Sequence, residues 1–180
     1  VGGRDPSVFE HDDAGLRQRV AGWLRGSDVD SIVESFRKLH PQASPSELFF
    51  LITSDLYARC PGWAQADRKA AQNAAPVWMC ELVWDTPING GKWRSPHTLD
   101  IPLVFDNVGR TPSFARPCPE SFGIAADMAS AWLAFARSGD PNHAGIPHWP
   151  AYTKECPVTL LFDVEPRVER DWRGGERRAL

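Results

Sequence analysis

No apolar run in this sequence approaches the ~20 residues that a membrane-crossing helix requires. The longest, such as Ile101 to Phe105, stop after a few positions, so no membrane span is expected. An excess of positive charge is missing as well. The formal net charge is −3 and the pI near 6.0, with acidic and basic residues interspersed, which argues against a nucleic-acid surface. Cys60, Cys80, Cys118 and Cys156 form no C-x-x-C and no Cys/His ligand spacing. They could close two disulfides, but isolated cysteines in apolar surroundings read first as small core residues. The chain opens on Val1-Gly2-Gly3-Arg4-Asp5-Pro6, which is neither an initiator methionine nor a signal peptide. That start predicts sequence lost upstream.

Catalytic signatures are also scarce. There is no G-x-S-x-G, the strained turn that exposes a nucleophilic serine. No Walker loop, G-x-G-x-x-G or H-E-x-x-H is present, so nothing supports phosphoryl transfer, dinucleotide binding or zinc-protease chemistry, and no cofactor is expected. Ser35-Phe36-Arg37-Lys38 fits S-x-x-K, yet no S-D-N or K-T-G accompanies it. Phe36 points into an amphipathic face and leaves Lys38 on a solvated one.

What is present is aromatic and apolar. Eight Trp and nine Phe in 180 residues, with 42% hydrophobic content, exclude global disorder. The length suits one domain or a large part of one, able to bury roughly 70% of its unfolded surface.

The pattern divides near residue 75. Residues 1–75 read as four helices. Asp13 can cap the first, with Leu16, Val20, Trp23 and Leu24 on one face. Asp28 can start the second, with Val29, Ile32, Val33 and Phe36 inward and a stop before Pro41. Ser44-Pro45-Ser46-Glu47 is a capping box with proline at the first helical position. The third helix is expected to reach about Arg59 before Pro61, and a fourth to run from about Trp63 to Ala74.

Residues 76–180 have an α/β texture. Val77 to Trp84 is eight mostly apolar residues without Gly or Pro, predicting a strand buried on both faces. A Gly/Pro/Asn-rich loop from Asp85 to Pro96 follows, at the strand end where α/β folds place chemistry. A helix is expected over Ala125 to Ser138, with Met128, Trp132 and Phe135 on one face. Val158 to Phe162 reads as a short closing strand, and the Arg-rich tail as solvated. Trp132, Phe135 and Trp149 are expected in the core.

His97 is the candidate for acid–base chemistry, since an imidazole beyond that loop can take and return a proton near neutrality. His11 and His40, at helix edges, are expected to be solvated. His143 and His148 flank a turn, but no nearby Asp, Glu or Cys completes a metal set.

The segment Gly90-Gly91-Lys92-Trp93-Arg94-Ser95-Pro96-His97-Thr98-Leu99-Asp100-Ile101-Pro102-Leu103-Val104-Phe105-Asp106-Asn107 resembles the surroundings of the catalytic histidine in type-B carboxylesterases, the cholinesterase-like branch of the α/β-hydrolases. In that family a Gly-rich loop leads to a histidine followed by D/E-[IL]-P and V-F. Ala131 to Asn142 is similar to its W-x-x-F-A-R-x-G-x-P-N stretch, His148 to Tyr152 to its W-P-x-Y, and Leu161-Phe162-Asp163 to the strand that follows. Upstream, Asp5-Pro6 and Ser54-Asp55 resemble its helical excursion. Three motifs in register cover essentially the whole chain.

The resemblance implies the C-terminal part of a single α/β-hydrolase domain: a helical excursion over 1–75, then the strand, histidine loop, helix and closing strand of 76–180. It implies ester hydrolysis by a Ser-His-Glu/Asp triad through an acyl-enzyme, with only His97 supplied here. The serine elbow, oxyanion loop and triad acid belong upstream of Val1 or in another chain, and Asp5, Glu10, Asp12 and Asp13 are poor substitutes for the acid. Asp100 is expected to support the loop, and Trp93 is a candidate wall of the substrate pocket. Strand 77–84 is expected to pair in parallel with a strand lying upstream. The expected partners are therefore the remainder of the fold and a small ester. The competing reading is a non-catalytic cholinesterase-like binding or adhesion module. A self-sufficient enzyme would need a nucleophile within these residues, and the sequence offers none.

Overall fold

A computed structural model describes residues 5–24 and 28–180. The parts of the expected helical excursion at 1–4 and 25–27 lie outside the described residues. The chain forms two compact units: one runs up to Arg68 and includes Arg173–Leu180, the other is Lys69–Trp172.

The first unit is helical, and its starts are set by side-chain caps. In α1 (Asp13–Ala21) the cap is Asp12, not Asp13: its carboxylate accepts from the Gly15 N–H at 2.7 Å. Asp13 instead occupies the first turn, where the helix dipole favours an acid, and pairs with Arg37 at 2.6 Å. Asp28 caps α2 (Val29–Leu39) through the Ser31 N–H at 3.1 Å. The capping box forms on α3 (Pro45–Ser54): Ser44 Oγ accepts from Glu47 N–H at 3.2 Å and Glu47 accepts from Ser44 N–H at 2.9 Å. Leu16, Val20, Val33, Phe36, Leu48 and Ile52 meet in a fully buried core. Trp23 is not among them. With α1 ending at Ala21, the helical spacing that would have turned its ring inward is lost, and it is 42% exposed.

Pro61 does not separate the third and fourth helices as expected. Helix α3 passes through a π-helical turn, Asp55–Arg59, directly into α4 (Cys60–Ala70). The Cys60 N–H donates to the Asp55 carbonyl, five residues back. This wider turn places Pro61 in the first turn of a new α-helical segment, where its missing N–H costs little.

The Arg-rich tail is packed rather than solvated. Helix α7 (Gly174–Ala179) carries Glu176, which is buried and lies 2.9 Å from His40 Nε2 and 3.1 Å from Arg173 Nη1. The Arg177 guanidinium sits 4.3 Å from the Trp63 ring centroid, a cation–π contact. His40 is therefore paired, and His11 packs edge-on against Phe49 at 5.5 Å; neither is the solvated histidine expected. Asp55 is 2% exposed and ion-paired with Arg59 at 3.1 Å. Burial pushes its carboxyl above the ordinary value, with the Arg59 charge working in the opposite sense.

The second unit holds a three-stranded sheet in the order β1 (Cys80–Leu82), β2 (Val158–Phe162), β3 (Arg167–Arg170). Strand β1 runs parallel to β2, Cys80 opposite Leu160 and Leu82 opposite Phe162, and β2 pairs antiparallel with β3. Of the strand expected over 77–84 only Cys80–Leu82 forms, with one further ladder bond at each end: Met79 accepts from Leu160 N–H and Val83 N–H donates to the Phe162 carbonyl, both at 2.9 Å. Within this chain its partner is the downstream β2, and it forms the sheet edge. The side chains of β1 are half-buried rather than buried on both faces, whereas every residue of β2 is buried.

Helix α6 (Pro119–Ser138) begins six residues earlier than its periodicity indicated, because Pro119 takes the first helical position and the Cys118 N–H donates to Ser121 Oγ at 3.0 Å. Gly139, at φ +77°, closes it in the left-handed conformation that glycine tolerates. Its buried stripe is Ile124, Ala125, Met128 and Ala131. Trp132 and Phe135 lie at the margin, 42% and 51% exposed, against the expectation of core positions. Trp132 reaches Phe162 and Phe135 reaches Trp78, so each ring is covered on one side only. Trp149 is buried as expected, and all four cysteines are free thiols.

Ser44→Ala removes the hydroxyl that accepts from Glu47 N–H and bonds the Glu47 carboxylate, and is expected to lower stability by about 1 kcal/mol, measured by urea unfolding. Asp55 makes stability pH-dependent with a definite sign. Its folded pKa is raised, so the folded state holds its proton more tightly than the unfolded one. The contribution is present below the ordinary carboxylate value and is lost as pH rises through the folded value. Asp55→Asn is expected to flatten the loss of stability that sets in as pH rises above the ordinary carboxylate value, read from parallel unfolding curves.

Candidate active site

The site is built at the C-terminal end of β1. Beyond the buried Trp84, the chain makes an excursion whose two ends are tied together by Thr86 N–H donating to the Arg94 carbonyl at 3.0 Å. Thr86 Oγ1 donates to the Phe114 carbonyl at 2.9 Å, and Arg94 pairs with Asp85 at 2.9 Å. The tip turns through Asn89, Gly90 and Gly91, all at positive φ. Two glycines and an asparagine are what three successive left-handed residues require.

The return limb carries the histidine. Ser95 Oγ donates to the Leu82 carbonyl, the last residue of β1, at 2.9 Å. Pro96 fixes its own φ, and its carbonyl accepts from Leu99 N–H at 3.1 Å. His97 is exposed, while Leu99 two residues on is fully buried. Between them Thr98 lies at φ +75°, which costs a β-branched residue roughly 1–2 kcal/mol. Asp100 then opens the short helix α5 (Asp100–Val104). The imidazole thus stands out of a loop whose backbone is pinned on both sides.

Beside it is a cavity of about 240 Å³. His97 and Asp100 stand on its polar side; Cys80, Met128, Trp132 and Phe162 supply apolar walls. The Cys80 thiol is pushed up to about 12 by burial, with the charges of Asp100 and Glu81 adding to the effect. It is an apolar wall and not a nucleophile. Asp100 is exposed, and its carboxylate accepts no hydrogen bond among the described residues. Trp93 is half-buried and is not one of the residues lining this cavity.

The remaining candidates lie elsewhere. His143 is held in the turn after α6, its Nε2 3.1 Å from the Asp127 carbonyl and its Nδ1 accepting from Gly145 N–H at 3.1 Å. His148 is exposed. Among the described residues no three His, Cys, Asp or Glu side chains are grouped as metal ligands. Ser35 Oγ donates to the Ser31 carbonyl one turn back at 2.8 Å, an ordinary helix contact.

The sequence profile of the Carboxylesterase family matches residues 29–178. The chain belongs to this family. Para-nitrobenzyl esterase of Bacillus subtilis (strain 168) is 30% identical over 154 residues, which cover 83% of this chain and 30% of that protein. Liver carboxylesterase of Sus scrofa is 44% identical over 110 residues, covering 61% of this chain and 19% of the relative. Among solved structures, a Geobacillus stearothermophilus carboxylesterase at pH 6.2 superposes with a TM-score of 0.82 at 31% identity. That match covers 99% of this chain and 37% of the other. The fold of this carboxylesterase-family chain is accordingly that of part of an α/β-hydrolase. The chain spans about a third of the length of the Bacillus subtilis and Geobacillus stearothermophilus relatives.

Sequence reasoning singled out His97 as a candidate but not Ser95, Thr86 and Thr98, the residues that fix its loop. A hydroxyl beside Pro96 could have suggested a tie to the backbone. No local signal marks Thr98 as left-handed, because threonine avoids that region. The thiol environments give a direct check on the cavity wall. In the native protein near pH 8, iodoacetamide is expected to modify the exposed Cys156 readily and to leave Cys80 unmodified over the same period, as read by peptide mass mapping.

Proposed function

We propose that this chain contributes the general acid–base histidine of a serine carboxylesterase, with His97 in that role. The observation that carries the proposal is an exposed imidazole on a backbone pinned at both flanks, at the C-terminal end of a parallel strand and beside an apolar cavity, within the matched family segment. A triad histidine needs each of these: access to substrate, fixed geometry and a low-polarity surrounding.

In the assembled enzyme a serine supplied by the remainder of the fold, upstream or in a separate chain, attacks the ester carbonyl. His97 accepts the serine proton and returns it to the departing alcohol. Water then attacks the acyl-enzyme, again giving its proton to His97, which passes it back to the serine as the acid leaves. An acid from the same remainder orients the imidazole and stabilises its charged form, and backbone N–H donors stabilise the oxyanion. Asp100 stands at the first turn of α5 on the polar side of the cavity, and Trp93, outside the lining of that cavity, shapes the wider approach of the ester together with the remainder of the fold. The outer edge of β1 receives a parallel strand of the same remainder, which also covers the open sides of Trp132 and Phe135.

The test is fluorophosphonate labelling of the purified protein, resolved by denaturing intact-mass analysis, together with p-nitrophenyl ester turnover. Label is expected on a serine outside these 180 residues. The 180-residue chain alone is expected to show no labelling and no turnover, since loss of the serine typically costs on the order of 10⁶ in rate. In the assembled enzyme, His97→Gln is expected to lower kcat by at least about 10³-fold with the fold intact. Absence of label in a sample containing the whole fold would leave the non-catalytic binding module as the reading.

A further inference from the structure

We propose that Ser95 is a positioning residue for His97, acting through the end of β1. The inference rests on the role assigned to His97 above. Along β1, Met79 and Val83 direct their backbone groups to β2. Alternation in a strand therefore turns the Leu82 carbonyl to the opposite side, the outer edge of the sheet. That carbonyl accepts from Ser95 Oγ at 2.9 Å. The hydroxyl thus occupies a main-chain acceptor on the edge where a further strand would pair. One hydrogen bond ends edge pairing at Leu82 and fixes where the return limb of the loop leaves the sheet.

The rest of the limb transmits this anchor to the imidazole. Pro96 removes freedom at one φ angle between Ser95 and His97. After His97, the left-handed Thr98 is held by its carbonyl accepting from Ile101 N–H at 3.2 Å and by the buried Leu99. A strained residue persists only where its neighbours over-determine it. Release of Ser95 from Leu82 moves the last upstream tie of the limb back to the Arg94 carbonyl, so the stretch from Ser95 onward gains freedom, and Thr98 can relax towards negative φ and carry His97 with it. Thr86 ties the limb through its N–H on the Arg94 carbonyl, three residues before His97, and its hydroxyl is bound to Phe114, so neither of its groups holds Ser95 itself. Displacement of an acid–base group by about 1 Å is enough to cost on the order of 10²-fold in rate.

The assembled esterase is compared as wild type, Ser95→Ala, Ser95→Thr and His97→Gln, with turnover of p-nitrophenyl acetate normalised to serines titrated by fluorophosphonate and thermal unfolding followed in parallel. Ser95→Ala is expected to lower kcat per titrated site about 10- to 100-fold with KM little changed. The rate of fluorophosphonate labelling should fall in parallel, because phosphonylation needs the same proton transfer. Ser95→Thr keeps the hydroxyl and is expected to recover most of the loss. An unchanged kcat per titrated site in Ser95→Ala, with only a lower unfolding temperature, would overturn the inference while leaving His97 in place. Wild-type turnover in His97→Gln would instead remove the assignment of His97 itself.

Discussion

The parallel pairing of β1 with β2 is the contact on which the candidate site depends. A backbone group taken out of water must find a partner, and the groups of residues 79–83 that face β2 find theirs there. This register fixes the level at which β1 stops, and that level decides where the next residues emerge. The histidine loop begins at this level and returns to it, through Thr86 bonded to Arg94 and Ser95 bonded to Leu82. His97 is consequently referred to the sheet and not to the loop's own flexible tip.

Around that frame the sequence spends its special residues unevenly. Left-handed conformations cost nothing at Gly90 and Gly91, which only turn the chain. The same conformation is imposed on Thr98 next to the candidate catalytic residue, where it is expensive. Polar residues of ordinary type, Ser95 and Thr86, become anchors because tertiary structure brings a main-chain carbonyl opposite each. The apolar wall beside His97 draws on β1, β2 and α6, so its shape is a property of their packing.

In the helical unit electrostatics takes the corresponding part. Helix α7 is short and has no cap of its own from a side chain. It is held through Glu176, shared by His40 and Arg173, and through Arg177 on the Trp63 face. A buried carboxylate such as Asp55 is costly unless cations accompany it; Arg59 pairs with it, and the charge of Arg173 acts in the same sense. The π-helical turn that carries Asp55 also admits Pro61 without breaking the helical run.

Local chemistry was legible from the residues themselves. The Ser44 capping box, the Asp28 cap, the short strand within 77–84 and the place of His97 all follow from interactions spanning a few positions, which sequence spacing encodes directly. The family motifs added what spacing could not, the expected role of that histidine. Other features were decided by residues far apart in sequence: β2 as the partner of β1, the docking of the Arg-rich tail, the marginal positions of Trp132 and Phe135, and the anchors at Ser95 and Thr86. Each depends on which group lies opposite which after folding. A hydroxyl, a guanidinium or an indole fits several environments equally well, and only the folded chain selects one.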